Sequence, residues 1–251
     1  MGPPGKRAIV TGAAAGFGAA IARRFARDGA SVACLDRDAA GAVAIAGALA
    51  AAGARAFAVA VDVADGAAVR DAVAGAVADL GGLDAVVNAA GVAPPPSRLG
   101  ATPDEEIERA LAVNLRGLAH VCAAAVGAFG QGGGAIVNVA SVAALRPRPG
   151  MGWYAASKAA ALSLTQTLAL ELAGRGIRVN AVAPAASPTA MLDRLLDGAT
   201  DAKLDALRAT IPLGRLATPD DVASAVAFLA SDEAAFITGV VLPVDGGRAI
   251  A

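Results

Sequence analysis

Short runs of β-branched and other apolar residues alternate with alanine-rich stretches along the whole chain. The runs are almost unbroken, which is typical of parallel strands that helices cover on both faces. The pattern predicts seven strands, at residues 8–10, 31–35, 56–61, 85–87, 135–139, 177–182 and 240–244.

The stretches between these runs predict crossover helices. Helical patterns cover residues 19–28, 39–52 and 67–80, each followed by a glycine, and a longer one covers 103–129. Glycine is the residue that most often ends a helix. Two segments read as irregular, 92–101 and 184–218, the second with a short helix near 191–196. We interpret residues 184–218 as a substrate loop, with a plain connector as the alternative.

No linker or composition break divides the 251 residues. We therefore predict one domain over residues 1–251. Its fold class is α/β, a doubly wound sheet of about seven parallel strands with helices on both faces.

Composition narrows the classes of partner. Lysine and arginine number 21 against 22 acidic residues, and the net charge is -1, so nucleic acid is not an expected partner. Hydrophobic residues reach 56%, but alanine and valine dominate and charges recur, so no membrane span is expected. Residues 1–7 show no apolar export signal. Cys34 and Cys122 predict a reducing cytoplasm, and the single histidine, His120, predicts no metal site.

A glycine-rich turn, Thr11 to Gly18, joins the first strand to the first helix. Small residues let a backbone approach a pyrophosphate, and the N–H groups and dipole of a helix N-terminus stabilise its charge. The turn predicts a Rossmann-type dinucleotide site with contacts at Gly12, Ala15, Gly16, Phe17 and Gly18. Its Gly-x3-Gly-x-Gly spacing differs from the standard fingerprint, so a chance glycine cluster is the alternative.

Asp36 stands at the end of the second strand. An acid there accepts hydrogen bonds from the adenosine ribose and repels a 2′-phosphate. Arg37 is the opposing signal, but the turn itself contains no base, so we predict NAD, with NADP disfavoured. Asp36 as the N-cap of the next helix is an alternative that is compatible with this role.

Tyr154 and Lys158 are four residues apart and so share one helical face. A nearby ammonium lowers the pKa of a phenol, which suits Tyr154 to exchange a proton with an alcohol. Ser141 follows the fifth strand, at the sheet edge where open α/β sheets bind ligands. For the Tyr/Lys pair alone, an exposed pair on an amphipathic helix is the alternative.

Together these features resemble the short-chain dehydrogenase/reductase family over nearly all of the chain. The landmarks are the glycine turn, Asp62-Val63, Asn88-Ala89-Ala90-Gly91, Asn114, Ser141, Tyr154-x3-Lys158, Pro184 with Thr189, Ile237-Thr238-Gly239 and Asp245-Gly246-Gly247. The resemblance implies a catalytic tetrad. Tyr154 transfers the proton and Ser141 holds the substrate oxygen. Lys158 binds the nicotinamide ribose and lowers the tyrosine pKa, and Asn114 supports a water chain.

The resemblance also implies further cofactor contacts. They are Asp62, Val63, Asn88, Ala89, Gly91, Tyr154, Lys158, Pro184, Ser187 and Thr189. Strand-end capping by Asp62 and Asn88 and a structural role for Asn114 are the alternatives. The family's usual Pro-Gly is here Pro184-Ala185, which reshapes cofactor closure if the position needs a positive φ.

The predicted substrate pocket contains Ser141, Arg148, Trp153 and Met191. Arg148 and Arg146 attract an anionic substrate in one interpretation and form solvent or interface salt links in the other. Trp153 is a pocket wall or a subunit anchor. Because the family pairs the helices that hold Asn114 and Tyr154, the resemblance implies a homotetramer.

The sequence thus predicts an NAD(H)-dependent oxidoreductase that interconverts a secondary alcohol and a ketone, both small molecules. An NADPH-dependent 3-oxoacyl thioester reductase is the alternative within the class. A non-catalytic Rossmann cofactor-sensing module is the alternative from another class, but such modules often lose the Tyr/Lys pair. A methyltransferase would have no use for the tetrad.

Overall fold

The computed structural model describes residues 5–251. The sequence predicts no export signal in residues 1–7. Residues 1–4, most of that segment, lie outside the described residues. Strands and helices alternate in the order β1 (Arg7–Thr11), α1 (Gly16–Arg27), β2 (Ser31–Asp36), α2 (Ala39–Ala51), β3 (Ala56–Ala60), α3 (Gly66–Leu80), β4 (Ala85–Asn88), α4 (Asp104–Leu111), α5 (Leu118–Val126), β5 (Gly134–Val139), α6 (Gly152–Leu172), β6 (Ile177–Pro184), α7 (Ala190–Leu196), α8 (Asp201–Arg208), α9 (Pro219–Ala230) and β7 (Val241–Val244).

The seven strands form one sheet in the order β3-β2-β1-β4-β5-β6-β7, and every neighbouring pair is parallel. The predicted fold class and all seven predicted strands are confirmed, with ends that differ by up to two residues. Strand order reverses between β1 and β4, so a crevice opens at their carboxyl ends. The candidate site residues lie at this edge of the sheet.

Helices cover both faces of the sheet, as the unbroken apolar strands require. On one face α1, α2 and α9 pack a core around the fully buried Phe25. On the other face α3, α5 and α6 pack around Val69, Val121 and Ala161. Removing a ring as deeply buried as Phe25 costs about 3 to 5 kcal/mol, so this core holds the strand ends that carry the site.

The helix ends follow the sequence signals closely. Gly29, Gly53 and Gly81 all have positive φ after their helices, as predicted. Helix α1 starts at Gly16, three residues before the predicted start, because the glycine turn itself supplies its first turn. Helix α9 begins with a capping box between Thr218 and Asp221.

The prediction of one helix over residues 103–129 is wrong in its middle. Helix α4 ends at Leu111, a π-helical turn covers Ala112–Gly117, and α5 follows. Such wide turns insert a residue into a helix and often mark functional sites. Here the turn carries Asn114. Helix α8, inside the 184–218 segment, and helix α9 were not predicted.

No helix among residues 5–251 has both the length and the apolar character to cross a membrane. Cys34 and Cys122 are buried free thiols, and burial raises their pKa to about 11 and about 12. Both side chains pack in the core, and the Cys122 sulfur accepts a hydrogen bond from Asn88 Nδ2 over 3.3 Å.

Candidate active site

The glycine turn presents a bare helix N-terminus to the crevice. Ala15, the N-cap of α1, makes no capping side-chain bond, and the first turn of α1 contains no acidic residue. A Cβ on Gly12 would lie 2.7 Å from the Ala90 nitrogen, and one on Gly18 would lie 2.0 Å from the Gly12 oxygen. Only glycine fits either position. The turn therefore leaves backbone N–H groups facing the crevice, which fits a phosphate-bearing ligand.

A first cavity follows this turn along the carboxyl ends of β1, β2, β3 and β4. Twelve of the predicted cofactor residues line it, namely Gly12, Ala15, Gly16, Phe17, Gly18, Asp36, Arg37, Asp62, Val63, Ala89, Gly91 and Thr189. It is also lined by Val61, Ala90, Val92, Val113, Ala190 and Met191. The polar and glycine positions of this cavity were therefore predicted, whereas part of its apolar wall was not.

The Asp36 carboxylate is fixed by two backbone hydrogen bonds. Ala14 N donates to its Oδ2 and Asp38 N donates to its Oδ1, both over 3.0 Å. The alternative that Asp36 is the N-cap of α2 is wrong, because Asp38 occupies that position and accepts from Gly41 N over 3.0 Å. Asp36 therefore joins the glycine turn to β2 and keeps a negative charge at the cavity wall.

Two side chains organise the loop after β4. The Thr11 hydroxyl accepts hydrogen bonds from Ala89 N over 3.1 Å and Ala90 N over 3.2 Å. Asn88 Nδ2 donates to Asn138 Oδ1 over 2.8 Å, and this pair bridges β4 and β5 at the centre of the sheet. Asn88 is buried beneath the first cavity and does not line it. Asp62 at the end of β3 does line it, while its Oδ1 accepts from Ala64 N over 2.9 Å.

Asn114 connects three parts of the site. Its Oδ1 accepts from Val92 N, and its Nδ2 donates both to Val92 O and to Ser157 Oγ, each over 2.9 Å. Ser157 Oγ in turn donates to Tyr154 O over 2.8 Å. The buried amide therefore ties the loop after β4 to helix α6, and the π-helical turn aims it there. This is the structural role that the sequence analysis kept open, and one lone pair of Oδ1 remains free for the predicted water chain.

Tyr154 and Lys158 lie on one face of α6, as predicted, and both are buried, which contradicts the alternative of an exposed pair. Lys158 Nζ donates to Val139 O over 2.9 Å, and burial lowers the pKa of Lys158 to about 8. A Cβ on Gly91 would lie 3.3 Å from Lys158 Nζ and 3.4 Å from Asn114 Oδ1. The ammonium and the amide therefore lie directly beneath the cavity floor that Gly91 forms.

The protonation of Tyr154 departs from the expectation for a phenol beside an ammonium. Burial raises the pKa of Tyr154, and hydrogen bonding to Ser141 lowers it only in part. Burial also lowers the pKa of Lys158, so burial opposes the charged form of both groups. In this state the phenol holds its proton at neutral pH.

Tyr154 and Ser141 line a second cavity, next to the first. Phe17, Thr189 and Met191 border both cavities, and the Met191 sulfur lies 3.8 Å from the Tyr154 hydroxyl oxygen. Of the other predicted residues, Pro184, Ser187 and Arg148 line the second cavity. Helix α7 therefore stands where the two cavities meet, inside the segment predicted to be a substrate loop.

The segment after β6 carries no strain at Ala185. Asp197 is the non-glycine residue with positive φ in the described part of the chain. Ala185 instead donates its N–H to Val244 O over 3.0 Å, so alanine is tolerated there. Ser187 Oγ is buried and has no hydrogen-bond partner among the described residues. A ligand with a polar group would satisfy it, which again fits a cofactor at this edge.

The substrate pocket differs from the predicted one at Trp153 and Arg248. The structure does not place Trp153 on either cavity, because adjacent residues of a helix point about 100° apart and Tyr154 is the one that faces inward. Arg248, which the sequence analysis did not select, lines the second cavity beside Arg146 and Arg148. No sequence motif marks Arg248, since only the fold brings the segment after β7 to the pocket.

No cluster of three or more metal-ligating side chains occurs within the described residues. His120 is instead bonded through Nδ1 to Val63 O over 3.1 Å. The histidine is a structural residue next to the β3 end of the first cavity.

Comparison with known proteins places this geometry among oxidoreductases. A family model described as enoyl-(acyl carrier protein) reductase matches residues 12–249. The chain is 49% identical to 4-formylbenzenesulfonate dehydrogenase of Comamonas testosteroni, over 97% of both chains. It is 44% identical to D-threitol dehydrogenase of Mycolicibacterium smegmatis, over 98% of this chain and 94% of the relative.

A solved structure has the same fold. It is a 3-ketoacyl-(acyl-carrier-protein) reductase from Brucella melitensis in complex with NADH. Its TM-score is 0.92 at 42% identity, covering 98% of this chain and 99% of that one.

Proposed function

The chain belongs to the short-chain dehydrogenase/reductase family of oxidoreductases, and on that premise we propose that it interconverts a secondary alcohol and a ketone with NAD(H) as cofactor. One observation carries the proposal. Tyr154 and Ser141 line one cavity, and Lys158, one helical turn after Tyr154, is buried with its ammonium bonded to Val139 O.

The first cavity is the proposed dinucleotide site. The N–H groups at the start of α1 hold the pyrophosphate, Asp36 the adenosine ribose and Asp62 the adenine. Ser187 and Thr189 bind the nicotinamide end of the dinucleotide. Lys158, whose Nζ lies next to Gly91, binds the nicotinamide ribose. A bound nicotinamide supplies or accepts the hydride, and the protein orients both reactants.

We assign NAD in preference to NADP because of Asp36. Two backbone N–H groups hold its carboxylate at the cavity wall, and a 2′-phosphate placed beside it would be repelled. Arg37 lines the same cavity but is exposed, and the turn at Ala13, Ala14 and Ala15 offers no base. The relative from Brucella melitensis is described as a complex with NADH.

Tyr154 is the proposed general acid and base. In ketone reduction the carbonyl carbon receives the hydride and the carbonyl oxygen receives the phenolic proton, while Ser141 holds that oxygen by a hydrogen bond. The raised pKa of Tyr154 keeps the proton available for this direction. In alcohol oxidation both transfers reverse. A charged Lys158 then favours the phenolate, and Asn114 Oδ1 supports the water that exchanges its proton.

The 184–218 segment is the proposed substrate loop of a single catalytic domain that covers residues 1–251. Helices α7 and α8 contribute Met191, Leu192, Leu195 and Leu207 to the second cavity. Since these residues follow the cofactor contacts at Ser187 and Thr189, one segment borders both reactants. We also propose a homotetramer, to be tested by light scattering. The cytoplasmic location remains a prediction.

The test is a turnover assay with purified protein. Ketones, polyols and hydroxy acids are offered with NAD(H) and NADP(H), and the absorbance of the reduced nicotinamide is followed. We expect turnover of a secondary alcohol or ketone, faster with NAD(H). The Tyr154→Phe variant should lose nearly all turnover and still bind NADH in a fluorescence titration. Wild-type rates in this variant would contradict the assignment of Tyr154.

A 3-oxoacyl thioester reductase is the second candidate. The Brucella melitensis relative carries that name, as does a protein from Thermotoga maritima that is 37% identical over 98% of both chains. Adding acetoacetyl thioesters with NADPH to the same assay separates the two candidates, because Asp36 should disfavour NADPH. A non-catalytic cofactor-sensing module would bind NADH and turn over none of these substrates.

A further inference from the structure

Three arginines converge on the cavity that holds Ser141 and Tyr154. Arg146 and Arg148 come from the loop between β5 and α6, and Arg248 comes from the segment after β7. These segments are about 100 residues apart in sequence, and a hydrogen bond from Arg146 Nη1 to Arg248 O over 2.7 Å joins them. The three guanidinium groups therefore belong to one local cluster at the pocket.

No carboxylate among residues 5–251 forms an ion pair with any of the three arginines. Arg148 Nε lies 2.6 Å from the Met151 sulfur, which carries no charge. Asp245 is the nearby acid, and its two oxygens accept from Gly247 N over 3.0 Å and Ala249 N over 2.7 Å. Asp245 therefore offsets the positive charge of the cluster only in part, without a direct ion pair.

Burial and mutual repulsion both act on this cluster. Burial lowers the pKa of Arg148 and of Arg248. For Arg248 the charges of Arg148 and Arg146 lower it further, and Asp245 opposes them. Guanidinium groups stay charged throughout the accessible pH range. Half-buried cations placed together without an anion are costly, so their presence in a pocket calls for an anionic partner.

Apart from Ser187 and Thr189, the remaining walls of the cavity are apolar. Their larger side chains include Val142, Met151, Leu192, Leu195 and Leu207. The cavity thus combines hydroxyl groups for a reacting oxygen, an apolar surface and cations without an ion-pair partner. Guanidinium groups bind planar carboxylates and tetrahedral phosphates through paired N–H donors, and a sulfonate is likewise a tetrahedral oxyanion.

Resting on the function proposed above, we propose that the physiological substrate carries a carboxylate or sulfonate besides its alcohol or ketone group, and that Arg148 and Arg248 bind this anion. Both side chains are half-buried, whereas Arg146 is exposed. Arg146 is a positioning residue, because its contact is the Arg248 carbonyl oxygen. The arginines select the substrate, and Ser141 and Tyr154 act on its reacting group.

Matched ketones test the proposal in the NADH-dependent reduction. Acetophenone is compared with 4-acetylbenzoate and 4-acetylbenzenesulfonate, and 2-pentanone with 4-oxopentanoate. The wild-type protein should favour the anionic members in kcat/KM. A hydrogen bond to a charged group contributes roughly 1.5 to 3 kcal/mol, so we expect a preference of about 10- to 100-fold. The carboxylate and sulfonate arms identify which anion is preferred.

Arg148→Leu and Arg248→Leu should each bring the anionic-to-neutral ratio of kcat/KM close to one. Arg70→Leu is the matched control, an exposed arginine on α3 that lines neither cavity, and should keep the wild-type ratio. Equal kcat/KM for charged and neutral ketones in the wild type, with no change in the arginine variants, would overturn the proposal while leaving the oxidoreductase function intact.

A binding measurement separates the two hypotheses. Calorimetry with the Tyr154→Phe variant and NADH should give arginine-dependent binding of 4-acetylbenzoate or 4-acetylbenzenesulfonate. If the wild type reduces no ketone but this binding occurs, the anion site stands and the proposed reaction falls. If neither anion binds in an arginine-dependent manner and no charged ketone is preferred, the anion site falls. In that case the arginines serve an interface between subunits.

Discussion

Lys158 Nζ donates a hydrogen bond to the carbonyl oxygen of Val139 over 2.9 Å. The bond joins the middle of α6 to the last residue of β5, two residues before Ser141. Because Tyr154 precedes Lys158 by one helical turn, the same bond sets the distance between the two hydroxyl-bearing elements. The site requires a buried ammonium for this, and burial has an energetic cost.

Because burial of the Lys158 ammonium costs free energy, replacing Lys158 with an uncharged residue should stabilise the folded protein. The folded pKa of Lys158 is about 8 against 10.5 in the unfolded chain. The penalty is therefore complete below pH 8 and fades as pH rises to 10.5. Each pKa unit corresponds to about 1.4 kcal/mol, so Lys158→Met should raise the free energy of unfolding at pH 7 by up to about 3 kcal/mol. The measurement is urea unfolding of the cofactor-free protein.

The pH dependence separates this effect from improved packing. At pH 9.5 the gain from Lys158→Met should be clearly smaller than at pH 7, because a lysine with a pKa of about 8 has then lost its proton in most of the folded molecules. A gain that is equal at both values, or a loss of stability at pH 7, would contradict the lowered pKa. Turnover should fall in the variant at every pH.

Asp36 predicts a change of cofactor preference. Its carboxylate repels a 2′-phosphate, and a repulsion of about 1.4 kcal/mol corresponds to a factor of ten. Asp36→Ala should therefore raise the ratio of kcat/KM for NADP over NAD by about tenfold or more. The ratio is measured with one substrate and both cofactors.

Asp36 also accepts hydrogen bonds from Ala14 N and Asp38 N, so a matched variant is needed. Asp36→Asn removes the charge and retains one amide oxygen as acceptor. Both variants should shift the ratio in the same direction. A shift in the alanine variant alone would assign Asp36 to the shape of the turn and not to charge selection.

Much of the fold could be predicted because its signals are local. Unbroken apolar runs identify strands that are buried on both faces, and glycines at 29, 53 and 81 end the helices that precede them. The same holds for the lining of the first cavity, where glycines and strand-end acids carry a fixed geometric meaning. Helical spacing predicted that Tyr154 and Lys158 share a face, and the family resemblance supplied their catalytic roles.

Features that depend on long-range contacts could not be predicted. The π-helical turn at Asn114 forms because the amide bonds Val92 and Ser157, which are distant in sequence. Arg248 reaches the second cavity through the position of β7 at the sheet edge. Helical spacing shows that Trp153 and Tyr154 point in different directions but not which of them faces the sheet. The position of Trp153 could therefore not be predicted.

Asn114 and Ser157 predict energetic coupling. Asn114→Ala leaves Val92 N and Val92 O without their partner, and each unpaired buried group costs about 1 to 3 kcal/mol. We expect a loss of about 2 kcal/mol in the free energy of unfolding. Ser157→Ala should cost less, since it removes the bond shared with Asn114 and the bond to Tyr154 O, while Asn114 Nδ2 keeps its bond to Val92 O.

A double-mutant cycle measures that shared bond. The two substitutions remove the same Asn114 Nδ2 to Ser157 Oγ interaction, so the double variant should lose less stability than the sum of the single variants, by about 0.5 to 1.5 kcal/mol. Additive losses would mean that the 2.9 Å contact contributes nothing. Denaturation of the four proteins at one pH supplies the numbers.

Met191 predicts a change in cofactor affinity. It borders both cavities, its sulfur lies 3.8 Å from the Tyr154 hydroxyl, and it packs against the cluster that includes Ala93 and Met151. A dinucleotide that extends from the glycine turn to Tyr154 has to pass this point. The contacts of Met191 therefore belong to the cofactor-free state and oppose binding.

Removing those contacts should destabilise the cofactor-free protein and leave the complex unchanged. By thermodynamic linkage, the affinity for NADH should then rise by the same free energy. We expect Met191→Ala to lower the free energy of unfolding by about 1 kcal/mol and to tighten NADH binding roughly fivefold. Met191→Leu keeps the bulk and should change neither value by as much. A fluorescence titration gives the affinity. Weaker NADH binding in the alanine variant would instead make Met191 a contact of the bound cofactor.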